Sequence, residues 1–255
     1  MQAPDDLQLS KLVAALCVES TAQDAQFSLQ DHYGVAAVLS VLEVLSALSD
    51  FPRRCAIEFI QSCPLDALRE QAGSSVVAAM IPLLKSGDDV TRSWTAETLG
   101  WLGDPVAIPA LVEAREATHR DRVPLDSSEQ VSLRWALTCL GARTQVVPPL
   151  TAALMQRNAT FEQCWPADVC ERVVEDLAAA DQVILYVSLS VKGTTWSGKT
   201  TYFCEPISSY ELDLDLPWPQ LVVQARDAAL AATSRLTVRE NRVMTVEWID
   251  IADRS

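Results

Sequence analysis

Between residues 88 and 116 the apolar side chains fall near helical spacing, in two bursts separated by a short break. Val90, Trp94, Leu99 and Leu102 form the first burst. Val106, Ile108, Ala110, Leu111 and Ala114 form the second. This spacing predicts two amphipathic helices, because positions three and four apart share one helix face. Gly100 and Gly103-Asp104-Pro105 are read as the break. Glycine accepts the left-handed cap, and proline cannot continue one helix but suits the first turn of the next. The product is a tight helical hairpin.

A second copy lies about 41 residues on, within the range of helical repeats. Trp94 aligns with Trp135 and Leu99-Gly100 with Leu140-Gly141, and Val146, Val147, Pro148, Leu150, Ala153 and Leu154 supply a second helix. The polar stretch from Thr118 to Ser128 reads as a longer loop between the copies. The run Asp88, Val90, Arg92, Ala96, Leu99, Gly100, Leu102, Gly103, Asp104, Pro105, Ala107, Ile108, Pro109, Ala110, Leu111 resembles a HEAT repeat of the phycobilisome-lyase-like kind. The resemblance extends over roughly residues 75–157. It departs from the pattern at Thr91, between Val90 and Arg92. What it implies is packing: stacked helix pairs that bury one continuous core.

Upstream, helical spacing predicts helices over 7–19, 34–48, 52–62, 64–71 and 74–85, and downstream over 166–180, opened by Pro166 with Asp168 in its first turn. From Asp181 the period changes. Residues 183–191, 200–204 and 210–216 read as strands, the last alternating Leu and acid without a fault. A helix from Pro219 to about Leu236 and a strand over 243–251 close the chain. The expected architecture is an α-helical HEAT-type solenoid over residues 1–181, followed by a small α+β domain over 182–255. That domain is read as β-β-β-α-β with a mostly antiparallel sheet.

Thirty-four acidic against twenty basic residues leave a net charge of −14. That sign repels nucleic-acid phosphates and anionic membrane faces, and it favours basic proteins. The seven cysteines are odd in number and mostly lie in apolar runs. They read as buried free thiols of a reducing compartment, and the cytoplasm is the expected location. No membrane span is expected.

Several chemical motifs fail on their surroundings. Residues 193–200 match the phosphate-loop pattern, with Gly198, Lys199 and Thr200 as its end. A phosphate loop needs a helix after the lysine, so that the helix N-terminus faces the phosphates. A strand-like run follows instead, so a hairpin is expected and nucleotide binding is the lesser alternative. Glu116 and His119 share a helix face. The chain has only two histidines, however, and a di-iron site needs more carboxylate–histidine pairs. No metal, cofactor or catalytic residue is therefore assigned.

The function expected from the sequence is protein binding, by an immunity, inhibitor or adapter protein engaging a basic partner. The candidate contact residues are Glu113, Glu116, His119, Asp121 and Asp126 near the clearest repeat, and Glu211, Asp213 and Asp215 on the alternating run. The alternative is an enzyme, either chromophore-lyase-like by resemblance or nucleotide-binding through residues 193–200. A third reading is a homodimer joined at a sheet edge.

Overall fold

The computed structural model describes residues 6–85, 88–125, 127–144, 147–157, 163–194, 200–208, 212–234 and 242–254. The chain divides into two compact units, Met1–Thr144 and Gln145–Ser255.

The first unit is helical: α1 (Asp6–Leu16), α2 (Ala22–His32), α3 (Val38–Leu45), α4 (Asp50–Ser62), α5 (Leu65–Met80), α6 (Asp89–Leu102), α7 (Ile108–Arg120) and α8 (Ser128–Cys139). It is built in two layers. α2, α4, α6 and α8 stack in succession, while α3 lies on α5, and the 3-10 extension of α5 (Ile81–Lys85) lies on α7. Leu29, Val41, Ile60, Met80, Leu99, Leu111 and Leu133 are among the side chains that fill the space between the layers.

The joints between stacked helices repeat. Arg54 on α4 pairs with Asp88, the cap of α6, at 2.8 Å. Arg92, at the corresponding place on α6, reaches Glu129 on α8 through Nε at 2.6 Å and Nη2 at 2.9 Å. Gln61 donates to Thr98 Oγ1 at 3.1 Å, and Ser93 meets Ser132 at 2.7 Å. Each of these two stacked joints thus carries an Arg–carboxylate pair and a polar side-chain contact, from neighbouring helices of a quasi-one-dimensional array.

Four details differ from the sequence expectation. Gly100 lies inside α6 rather than ending it. The left-handed residue that ends the helix is Gly103 (φ 73°), and its counterpart after α8 is Gly141 (φ 71°), so the copies align 38 residues apart at their caps. The helices read over 64–71 and 74–85 are one element, α5 with its 3-10 extension. Gly73 costs such a helix about 1 kcal/mol, and the burial of Leu68, Ala72, Val76, Val77 and Met80 outweighs it. α2 has no counterpart in the expectation, because its buried stripe is Ala22, Ala25, Gln26 and Leu29, too small and polar to register. Finally, Cys17 and Cys139 are exposed, whereas Cys55, Cys63, Cys164 and Cys170 are buried.

The second unit holds α9 (Pro149–Leu154), β1 (Gln156–Arg157), β2 (Gln163–Pro166), α10 (Cys170–Ala179), β3 (Val183–Thr194), β4 (Thr200–Ser208), α11 (Trp218–Thr233) and β5 (Arg242–Ile249). The strand order is β1-β2-β5-β3-β4, antiparallel throughout. β5 separates β2 from β3, and β3 separates β5 from β4, so the helices α10 and α11 each span a split β-α-β connection. Val173, Val174 and Leu177 of α10 and Ala229 of α11 share one core with Trp165, Val187, Met244, Val246 and Trp248 of the sheet. α10, expected as a late member of the array, therefore belongs to this unit, which begins well before residue 182. Periodicity located the helix but does not say which apolar surface it covers.

The strand expected over 210–216 is not formed at Leu212–Leu216, which is a turn. Asp213 supplies the reason. Its carboxylate accepts from Asp215 N at 3.2 Å, and its carbonyl accepts from Leu216 N at 3.1 Å. An aspartate that bonds its own following backbone competes with strand pairing, and Pro217 then starts α11. Among the described residues no helix is long and apolar enough to cross a membrane.

Candidate functional site

The clearest repeat is set by its caps. Asp88 Oδ1 accepts from Thr91 N at 2.8 Å and opens α6. Asp104 accepts from Val106 N at 3.0 Å and, with Pro105, opens the turn into α7. These side chains satisfy backbone N–H groups that helices leave unpaired at their starts. They also fix where α7 points its polar face.

A depression of about 350 Å3 opens beside that face, between the end of the α5 extension, α6, α7 and the segment after α7. Ala114, Ala117 and Thr118 form part of its wall. Glu113 and Asp121 line it together with Lys85, Arg92, Arg120 and Glu129. Two of its acids are already matched. Glu113 pairs with Lys85 at 2.7 Å, both on the surface, and Glu129, only 5% exposed, pairs with Arg92. The hydrogen bond from Arg92 to Glu129 holds the guanidinium above its usual pKa. The arrangement is a mixed-charge notch with a fixed ion pair in its floor.

The residues singled out from sequence scatter accordingly. Glu113 and Asp121 meet in the notch. Glu116 is exposed on α7 outside it, and His119 is half-buried on the same helix, also outside it. Asp213 and Asp215 are exposed in the turn of the second unit, where Asp213 N also donates to Gln224 Oε1 at 3.0 Å. Asp126 and Glu211 lie outside the described residues, as do Gly198 and Lys199. Thr200 starts β4, and Thr194↔Thr200 and Gly193↔Thr201 are strand partners. The glycine–lysine segment therefore joins two antiparallel strands, and no helix follows the lysine.

Lys85, Arg92, Arg120 and Glu129 are not among the contact residues expected from sequence. Arg92 and Glu129 stand 37 residues apart, close to the repeat period, so the pair was open to discovery by aligning the copies. Lys85 and Arg120 offered no such signal. Among the described residues no group of three or more His, Cys, Asp or Glu side chains could hold a metal ion.

Residues 41–129, from α3 into the start of α8, match the family model of HEAT repeats. No curated protein and no solved structure matches the chain. This segment is a HEAT-repeat array, and such arrays generally serve as protein-interaction or scaffold surfaces without chemistry of their own. The second unit has no family match.

Proposed function

We propose that the chain is a non-catalytic module that binds a basic protein, either as an adapter or as an inhibitor in the manner of a bacterial immunity protein. The observation that carries this reading is that adjacent second helices of the array each present exposed side chains, apolar and charged together. Leu39 and Glu43 of α3, Ala78 of α5, and Val112, Glu113 and Glu116 of α7 are all exposed. Leu39 is 52% and Val112 39% accessible. Apolar side chains rimmed by charge on neighbouring elements are the make-up of a protein contact surface.

The charge of −14 supports a basic partner, since a negative field speeds the approach of a positive protein and disfavours nucleic acid and anionic membrane. Asp121 in the notch, His119 on the same helix as Glu113, Asp213 and Asp215 of the second unit, and Asp126 and Glu211 from the sequence alone, are proposed as further contacts. The free, buried cysteines support a reducing compartment, the cytoplasm.

The test is capture from host-cell lysate with the full chain, followed by a direct Kd with the purified partner at about 50 and 300 mM salt. A basic partner whose affinity falls as salt rises supports the reading. A neutral or acidic partner, or one indifferent to salt, overturns it.

A further inference from the structure

Charge is uneven along the first unit. Residues 1–50 carry seven acidic side chains against one basic, Lys11, whereas residues 51–144 carry twelve against ten. The later stretch is also partly neutralised in place: Arg54 pairs with Asp88, Lys85 with Glu113, and Arg92 with Glu129. Among the described residues, Glu19, Asp24, Asp31 and Glu43 take part in no ion pair.

α2 concentrates this charge around an apolar group. Ala22, Ala25, Gln26 and Leu29 are its buried side. Asp24, Phe27 and Asp31 are exposed. Their spacing of three and four residues makes them neighbours on one stripe. Phe27 is 50% accessible. A ring half exposed on an otherwise polar helix keeps apolar area that the fold leaves uncovered, and aromatic side chains are enriched in protein contacts. α2 also belongs to the layer of α4, α6 and α8, not to the layer that carries Leu39 and Val112.

We propose that the outward stripe of α2 docks a cationic amphipathic segment of a partner protein, with an apolar side chain seated on Phe27 and basic side chains meeting Asp24 and Asp31. The inference rests on the basic-partner reading and moves its principal contact from α7 to α2. The seven-residue separation of Asp24 and Asp31 spans about 10 Å of helix. The partner's two cations must match that distance, as residues seven apart on a helix do. The ring supplies buried area at small entropic cost, and the flanking carboxylates set register and speed encounter.

The probe is a fluorescent helical peptide of lysine and leucine at amphipathic spacing, compared with its glutamate-for-lysine counterpart and with oligolysine. Binding to the full chain is read by anisotropy at about 50 and 300 mM salt. The lysine–leucine peptide is expected to bind more tightly than either control. Phe27→Ala is expected to weaken it at least tenfold, roughly, at both salts. Asp24→Asn with Asp31→Asn is expected to weaken it chiefly at low salt, and by more than Glu113→Gln with Glu116→Gln on α7, which removes the same number of charges. All these positions are exposed, and far-ultraviolet circular dichroism checks that each variant is folded; the asparagine pair carries the test should Phe27→Ala unfold.

If the α2 variants bind like the parent while the α7 variant loses affinity, the α2 site is overturned and the basic-partner reading stands. If the parent does not distinguish the lysine peptide from the glutamate one, both are overturned.

Discussion

Gly100 on α6 faces Trp135 on α8 with no room for a side chain: a Cβ at position 100 would lie 2.6 Å from Trp135 Cζ3 and 2.9 Å from Ala136 Cα. The ring of Trp135 in turn meets Trp101 edge-on, at 6.3 Å and 89°. The closest joint of the array therefore depends on an absent methyl group, and one of the two obstructing atoms is backbone. Gly100→Ala is expected to cost about 1–3 kcal/mol by overpacking, more than the ~1 kcal/mol that alanine returns through helix propensity. Gly73 on α5 is the control, because its Cβ would meet nothing closer than 3.8 Å. Urea unfolding of both variants checks this: Gly100→Ala should unfold at lower urea than the parent, Gly73→Ala at equal or higher urea.

The two Arg–carboxylate joints should differ in strength, although their arginines occupy corresponding places. Glu129 is 5% exposed and held by two bonds, whereas Arg54 and Asp88 are 31% and 25% exposed. Removing one partner of a buried pair strands a charge away from water, a loss of about 3–5 kcal/mol. The partial exposure of Arg92 reduces the expected cost of Arg92→Ala to about 2–3 kcal/mol. Arg54→Ala should cost about 1 kcal/mol or less. Replacing Arg92 and Glu129 together by methionine should cost less than Arg92→Ala alone, which a double-mutant cycle reads directly.

Helical periodicity carried the large elements into view and lost the small ones for physical reasons. The cap signals at Asp88 and Gly103-Asp104-Pro105 located α6 and α7, because each side chain answers a specific unpaired backbone group. α2 escaped because alanine and glutamine can fill a close helix joint as well as leucine can, without leaving a hydrophobic stripe. The Leu–Asp alternation at 212–216 looked like a strand because pattern does not register an aspartate bonding its own backbone. Within the notch, acids were legible from composition. The pairing of Lys85 was not, since it is a tertiary fact, whereas Arg92 and Glu129 leave a trace in their 37-residue separation.

Burial pushes the Cys170 thiol up to about 12 and that of Cys63 up to about 11, from an ordinary 9.0. The unfolded chain then ionises first as pH rises. The stability these groups contribute is complete below pH 9.0 and declines between 9.0 and about 12. The urea midpoint is expected to fall between about pH 8 and 10, and to fall less in Cys170→Ala. Thiol labelling of the folded chain near pH 8 should reach Cys17 and Cys139 but spare Cys63 and Cys170, since the thiolate is the reactive form.

In the second unit Asp176 on α10 holds the start of α9. Its Oδ2 accepts from Thr151 N at 2.8 Å and from Thr151 Oγ1 at 2.7 Å, while Trp165 Nε1 donates to Thr151 O at 2.8 Å. Asp176→Ala removes a charged acceptor from two donors, at an expected cost of about 2 kcal/mol. Trp165 is fully buried, so its fluorescence should shift to longer wavelength if α9 detaches, and an unchanged spectrum with unchanged stability would count against this role.

The central claim is that the helical repeat unit is a docking surface for a basic protein. Hydrogen–deuterium exchange of the full chain, free and bound to its captured partner, tests it most directly. The expected result is slowed exchange within residues 6–144, strongest at exposed helix faces, and relieved by added salt. Protection confined to residues 147–254, or centred on the β3–β4 hairpin in the presence of nucleotide alone, would contradict it.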